Sequence, residues 1–216
     1  LAFPGYSNDS GTISTTLSFD EYCTAVPYFG FSLYMHGDIQ MGKRTASLSG
    51  TLFEQTMNSL EPISYETRDA TGKVMTSQRY EFTNAVYTPG IPGGCPTAAR
   101  PNVVHVDTVR ITEKASGASS VLSDLTLTTV DTAAGLTENT FSARWSVPSG
   151  GVVEVLTGQP VTTNGQGQIV AGSLVLLGNN GSRAVATLVP GTTPLAMQAS
   201  LTVNGQPVAG LPACPR

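Results

Sequence analysis

The chain has 216 residues, a formal net charge of −4, and 12% charged against 40% hydrophobic residues. That length can bury a core without metals or staples, and the excess of apolar over charged residues argues against wholesale disorder. A pI near 5.1 without a basic cluster argues against nucleic-acid binding. No apolar run approaches the ~20 residues of a membrane helix, and aromatics at 7% are too few for the girdles of a membrane-spanning barrel.

The chain opens on Leu1-Ala-Phe-Pro, without Met or a basic segment, which is expected of a processed N-terminus. Lysine occurs only at Lys43, Lys73 and Lys114, and Ser, Thr, Gly, Asn and Gln supply the polarity. This composition points to a secreted, extracellular or cell-surface protein, with the periplasm as the alternative. Asn8 and Asn180 begin Asn-x-Ser sequons.

Period-two alternation dominates the chain. Ile13, Thr15, Leu17 and Phe19 alternate with Ser14, Thr16 and Ser18, and Phe29, Phe31, Leu33 and Met35 repeat the pattern. Alternation of this kind predicts strands with one face toward a core. Short helical turns are expected around Asp20–Ala25 and Phe53–Ser59. Further strands are predicted over Ala46–Phe53, Ile63–Thr67, Val74–Val86, Val103–Ile111, Val121–Val130, Phe141–Val147, Val152–Leu156, Gln168–Leu177, Ser182–Val189 and Leu195–Val203. The apolar phase changes inside Val103–Ile111, as a β-bulge would make it.

Asn164-Gly165, Asn180-Gly181 and Asn204-Gly205 separate apolar runs and predict type I′ hairpins. Val161-Thr-Thr-Asn-Gly-Gln166 recurs as Leu201-Thr-Val-Asn-Gly-Gln206, which reads as two hairpins sharing one favourable turn. The expected fold is all-β, an antiparallel sandwich or barrel-like structure of about a dozen short strands with little helix. A single domain over 1–216 is expected. A fall in charge beyond Glu138 leaves room for sub-lobes 1–134 and 135–216.

The proline- and glycine-rich stretch from Thr88 to Asn102 is the clearest loop and a candidate recognition surface. Cys23, Cys95 and Cys214 suit one disulfide and one remaining thiol, with the pairing open. His36-Gly-Asp38 and His105-Val-Asp107 each put an imidazole and a carboxylate on one strand face. Brought together, His36, Asp38, His105 and Asp107 would make a zinc or copper set. The competing explanation is an ordinary polar strand face.

No Gly-x-Ser-x-Gly elbow or phosphate-binding glycine loop is present, so no enzyme activity and no cofactor are expected. The function expected from these features is that of a structural or adhesive β-protein, in its sharpest form a self-assembling filament subunit joined by strand exchange. The alternating strand with Ile13, Leu17 and Phe19 is the element it would donate. Its partners would be copies of itself, or a surface or glycan. The alternative is a secreted ligand- or metal-binding module.

Overall fold

A computed structural model describes residues 12–26, 31–45, 52–91, 94–148, 150–190 and 197–208. Side chains are described over 15–19, 33–42, 54–91, 94–148, 150–190 and 199–208. Strand accounts for most of the described residues. The strands are β1 (Thr12–Val26), β2 (Phe31–Thr45), β3 (Leu52–Ser59), β4 (Ile63–Asp69), β5 (Val74–Thr88), β6 (Asn102–Glu113) and β7 (Ser119–Asp131). They continue with β8 (Thr137–Ser146), β9 (Val152–Thr163), β10 (Ile169–Gly178), β11 (Arg183–Pro190), β12 (Met197–Val203) and β13 (Gln206–Pro207). They form one antiparallel sheet in chain order, except that β4 pairs with β2 and β5 off the main path. The all-β antiparallel expectation holds.

Two local expectations do not hold. Asp20–Ala25 and Phe53–Ser59 are strand, not helical turn. In β1 the interruption of the pattern is a bulge. Phe19 pairs with Gly37 and Tyr22 with Met35, so the register shifts across Asp20 and Glu21. The apolar set of the sequence moves from odd positions to even ones there, in step with Leu33 and Met35 of β2. A one-residue slip without the bulge would have put that set on the opposite face. Strands are also longer than expected, up to 15 residues, because irregularities are absorbed mid-strand.

The chain divides into two compact units. One comprises Leu1–Tyr87 and Val106–Ser123, the other Thr88–His105 and Asp124–Pro215. In the second unit the register aligns Ala143, Val155, Leu176, Ala184 and Val203 in one row across β8 to β12. Leu174, Ala186 and Leu201 form the next row on that face. The opposite face carries Ser142, Leu156, Val175, Val185 and Thr202. The alternation in the sequence therefore marks one nearly continuous apolar face, in which Ala143, Val155 and Leu188 are buried. In the first unit Thr15, Met41, Met57 and Ala85 share a row, and Ile63 and Ala85 are buried.

A three-strand arrangement occurs in both units. β3 and β4 are collinear segments of one line: β3 pairs with β2 at Ile39↔Ser59, and β4 at His36↔Ser64. Leu60-Glu61-Pro62 interrupts that line opposite Gly37 and Asp38, and the Leu60 N–H donates to the Asp38 carbonyl (3.0 Å). Before the break, the Ser59 hydroxyl enters the ladder to β5. The Phe82 N–H donates to Ser59 Oγ (2.9 Å), and Ser59 Oγ donates to the Phe82 carbonyl (3.1 Å).

In β9 the same residue types stand at the same spacing, Thr157-Gly-Gln-Pro-Val161 against Ser59-Leu-Glu-Pro-Ile63. The Phe141 N–H donates to Thr157 Oγ1 (2.6 Å), which donates to the Phe141 carbonyl (3.1 Å). The register matches as well: Leu174 pairs with Thr157 and Ala171 with Thr162. Proline cannot donate to a ladder, so it sits where pairing is already broken. The order of the three strands along the chain is reversed between units: β2, β3–β4, β5 in the first, and β8, β9, β10 in the second.

The glycine opposite each break is fixed by close approach. A Cβ on Gly37 (φ 135°) would lie 3.0 Å from Ile63 Cα, and one on Gly172 (φ 147°) 2.8 Å from Val161 Cα. The turns use glycine differently. In the hairpins closed by Asp69–Lys73, Thr132–Leu136, Val147–Gly151, Asn164–Gln168 and Gly178–Ser182, the first residue's N–H donates to the fifth's carbonyl. The N–H of the fourth, a glycine with positive φ, donates back to the first.

Only Asn204-Gly205 has positive φ at both central positions, between Val203 and Gln206, as type I′ requires. The Asn164-Gly165 and Asn180-Gly181 expectations are therefore corrected. Gly167 and Gly181 take the left-handed position in longer turns, and the two near-identical Asn-Gly-Gln segments fold into different turns.

The two uses of glycine predict different costs. Gly135 has open space where a Cβ would go, so Gly135→Ala should cost only the left-handed backbone penalty, ~1–2 kcal/mol. Gly172→Ala adds overlap with backbone and should cost clearly more in urea denaturation. Thr157→Val leaves the Phe141 amide and carbonyl without their partner and should cost roughly 1–3 kcal/mol. Equal losses for the two glycine variants would contradict the close-approach account.

Candidate functional site

In the first unit β2, β4 and β5 bring the densest set of chemically active side chains together. Across β2 and β4, Tyr34 pairs with Glu66 and His36 with Ser64; across β4 and β5, Glu66 pairs with Ser77 and Ser64 with Arg79. Paired residues share a face, so Tyr34, His36, Ser64, Glu66 and Arg79 stand on one side of the sheet with Arg68. Lys114, just after β6, is held beside them because its N–H donates to the Ser77 carbonyl (2.9 Å). Tyr34, Met35, His36, Ser64, Glu66, Arg68 and Lys114 line an open depression of about 380 Å³.

Two contacts orient the Arg68 guanidinium. Its Nε donates to Glu66 Oε1, and its Cζ lies 4.4 Å from the centroid of the Tyr34 ring. The Lys114 ammonium has no ion pair among the described residues. The depression thus holds two cations, of which Arg68 is paired with Glu66, together with that carboxylate and the His36 imidazole. The hydroxyls of Tyr34 and Ser64 are there too.

The opposite face of these strands is packed for support. Thr67 is buried, with its hydroxyl 2.7 Å from that of Thr76. Tyr65 and Tyr80 meet edge to face at 5.8 Å between centroids. Burial, and then the neighbouring Tyr65 and Glu113, push the Tyr80 phenol above its ordinary value. The β4–β5 turn is tied by Asp69, whose Oδ1 accepts from the Thr71 N–H (2.9 Å), the Thr71 hydroxyl (2.6 Å) and the Lys73 N–H (3.0 Å). The Thr71 hydroxyl, followed by the Lys73 amide, holds this carboxyl below the usual carboxylate range.

The expected metal ligands have other surroundings. His36 is exposed in the depression, and Asp38 lies across Gly37 at the strand break. His105 Nδ1 is 3.1 Å from the Thr126 hydroxyl, and Asp107 Oδ2 accepts from Asn84 Nδ2 (2.9 Å). His36, Asp38 and Asp107 belong to the first unit and His105 to the second. Among the described residues no three His, Cys, Asp or Glu side chains form a group that could hold a metal ion. Cys95 is an exposed free thiol; Cys214 and the side chain of Cys23 lie outside the described residues.

The Thr88–Asn102 loop is fastened at several points. The Gly90 N–H donates to Asn102 Oδ1 (3.0 Å), Thr97 and Arg100 exchange backbone bonds, and the Asp131 N–H donates to the carbonyl of buried Pro96 (2.9 Å). Trp145 is 36% exposed. It follows Arg144 near the end of β8, where the row it shares with Val153 reaches the hairpin turn.

Leu17 and Phe19 are half-buried in β1, and Ile13 is paired with Lys43, its side chain lying outside the described ones. β1 heads the strand order and has one partner, β2, among the described strands. At the other end of the order, β13 is only two residues long and contains Pro207. Of this lining only His36 stands out in the sequence as a candidate ligand. Glu66 lies in the predicted strand Ile63–Thr67, whereas Arg68 joins it only because the strand runs on to Asp69; Lys114 comes from a sequence-distant turn.

No protein-family model, no curated protein and no solved structure matches this chain. Its function is therefore argued from its own residues.

The Asp69 contacts carry a pH dependence. A carboxyl whose folded pKa is lowered adds stability above its unfolded value, ~3.9, and that stability is lost as pH falls through the folded one. Asp69→Ala should therefore lower the melting temperature near neutrality, and the gap from the parent chain should close in acid. A gap that is constant with pH would mean that the carboxylate charge has no part in holding the turn.

Proposed function

We propose that this is a non-enzymatic structural or adhesive β-protein of the cell exterior that pairs with a second copy of itself along β1. The observation carrying this reading is the asymmetry of the two sheet ends. Among the described strands, β1 is a 15-residue edge, whereas the other end of the order is a two-residue strand with a proline. An edge strand presents a row of unpaired backbone donors and acceptors, and natural sheets usually blunt such edges with Lys, Pro or a bulge. From Thr12 to Phe19 the β1 edge carries no charge and no proline, and its bulge comes only at Asp20 and Glu21.

β1 already pairs with β2 over most of its length. Self-assembly therefore takes the form of edge-to-edge pairing, with β1 kept in its own sheet, and donation of β1 to a neighbour would first have to break that ladder. One long open edge pairs with its own copy about a two-fold axis and closes as a dimer; an open-ended filament would need two complementary edges. The Ser/Thr-rich composition with three lysines supports an exterior location. The absence of catalytic sequence motifs supports the non-enzymatic reading.

Light scattering of the purified chain should give a mass twice the 22.4 kDa of one chain. Thr16→Lys with Ser18→Lys, two positions on the face opposite Leu17, should shift the population to monomer without loss of β-signal in circular dichroism. A chain that stays monomeric up to high concentration would overturn the edge-pairing reading, as would a dimer that survives both lysines.

A further inference from the structure

The depression in the first unit has a lining of two chemical kinds, and this carries an inference independent of self-assembly. We infer that it binds an acidic saccharide: one carboxylate or sulfate group on a hydroxyl-rich sugar. The anionic group is assigned to Arg68 and Lys114. Arg68 is already aimed by Glu66 and by the Tyr34 ring, so binding orders few additional rotamers. The Lys114 ammonium has no competing ion pair among the described residues. Arg79, opposite Ser64 in the ladder, adds a third cation to the same face. In a chain of net charge −4, this is a local reversal of sign that draws anions in.

Glu66 narrows the ligand class. A carboxylate inside the depression repels a polyanion or a second phosphate, yet it accepts hydrogen bonds from neutral hydroxyls. The Ser64 and Tyr34 hydroxyls can donate or accept beside it. A ligand with one anionic group and several hydroxyls matches both halves of the lining, whereas a free inorganic anion uses only one. The volume of about 380 Å³ lies within the ~300–1,000 Å³ of small-molecule sites. The depression is open on its outer side, so a sugar unit can occupy it while the rest of a chain continues across the sheet.

The test is calorimetric titration of the full chain with galacturonate, which carries one carboxylate, with its neutral methyl ester, and with inorganic sulfate. Galacturonate should bind, with affinity falling as salt rises, and the methyl ester should bind at least about tenfold more weakly, the equivalent of one lost charge contact. Lys114→Gln should weaken galacturonate about tenfold, while Arg110→Gln, which breaks a surface pair with Glu81 outside the depression, should leave it unchanged. Glu66→Gln should weaken the saccharide but not sulfate. Circular dichroism confirms that each variant is folded.

Four results would overturn the proposal: equal binding of galacturonate and its ester, binding of neither, an affinity unchanged by Lys114→Gln, and sulfate matching galacturonate with both improved by Glu66→Gln, which would make this a simple anion site. None of these outcomes bears on the β1 dimer, which is read by mass.

Discussion

A hydroxyl standing in for a peptide group is the interaction on which this sheet turns. Ser59 and Thr157 each accept from a phenylalanine N–H and donate to the same residue's carbonyl. An interrupted ladder would otherwise leave both backbone groups unsatisfied, at a cost of ~1–3 kcal/mol each where water is excluded. With that cost removed, the strand can carry a proline-containing break and resume pairing beyond it. The glycine on the neighbouring strand supplies the other half, since only a residue without Cβ lets the two backbones approach so closely. Register on both sides of the break then keeps Ile39 opposite Ser59 and Leu174 opposite Thr157.

The candidate site inherits its geometry from this device. His36 adjoins Gly37, and Ser64 follows the residue that Gly37 crowds. The face bearing Glu66 and Arg68 is continuous with that point, and the Asp69 turn fixes the far end of the same strand. The depression therefore lies between two constrained positions, and its Arg68 guanidinium is held by Glu66 and the Tyr34 ring. The edge strand is placed by the same logic. The β1 bulge falls opposite the Gly37 segment, which leaves the uncharged stretch before it straight enough to offer a pairing surface.

The same structural arrangement occurs twice with reversed order along the chain, and this bears on how it should be read. Connectivity differs, yet residue types, spacing and register agree. The common factor is physical: a hydroxyl, a proline and a β-branched residue at fixed offsets, facing a glycine, form a compact way to bend an antiparallel ladder. The pattern Ser59-Leu-Glu-Pro-Ile63 and Thr157-Gly-Gln-Pro-Val161 was visible in the sequence. The more conspicuous echo, at Asn164 and Asn204, folds into two different turns.

Alternation by itself determined the all-β class, most strand positions and the apolar face of the second unit, because side chains in a strand must alternate whatever their partners. The row Ala143, Val155, Leu176, Ala184 and Val203 is that alternation read across five strands. Sequence also exposed the turn sites, since glycine and asparagine mark them. What it did not contain was the pairing that decides which glycine takes the left-handed position and where a bulge resets the phase. Nor could it show that Lys114 stands beside Glu66 and Arg68, because strand neighbours are joined by hydrogen bonds between backbones, and backbones are the same in every sequence. Only the tertiary register chose among the possible partners, and with them the site.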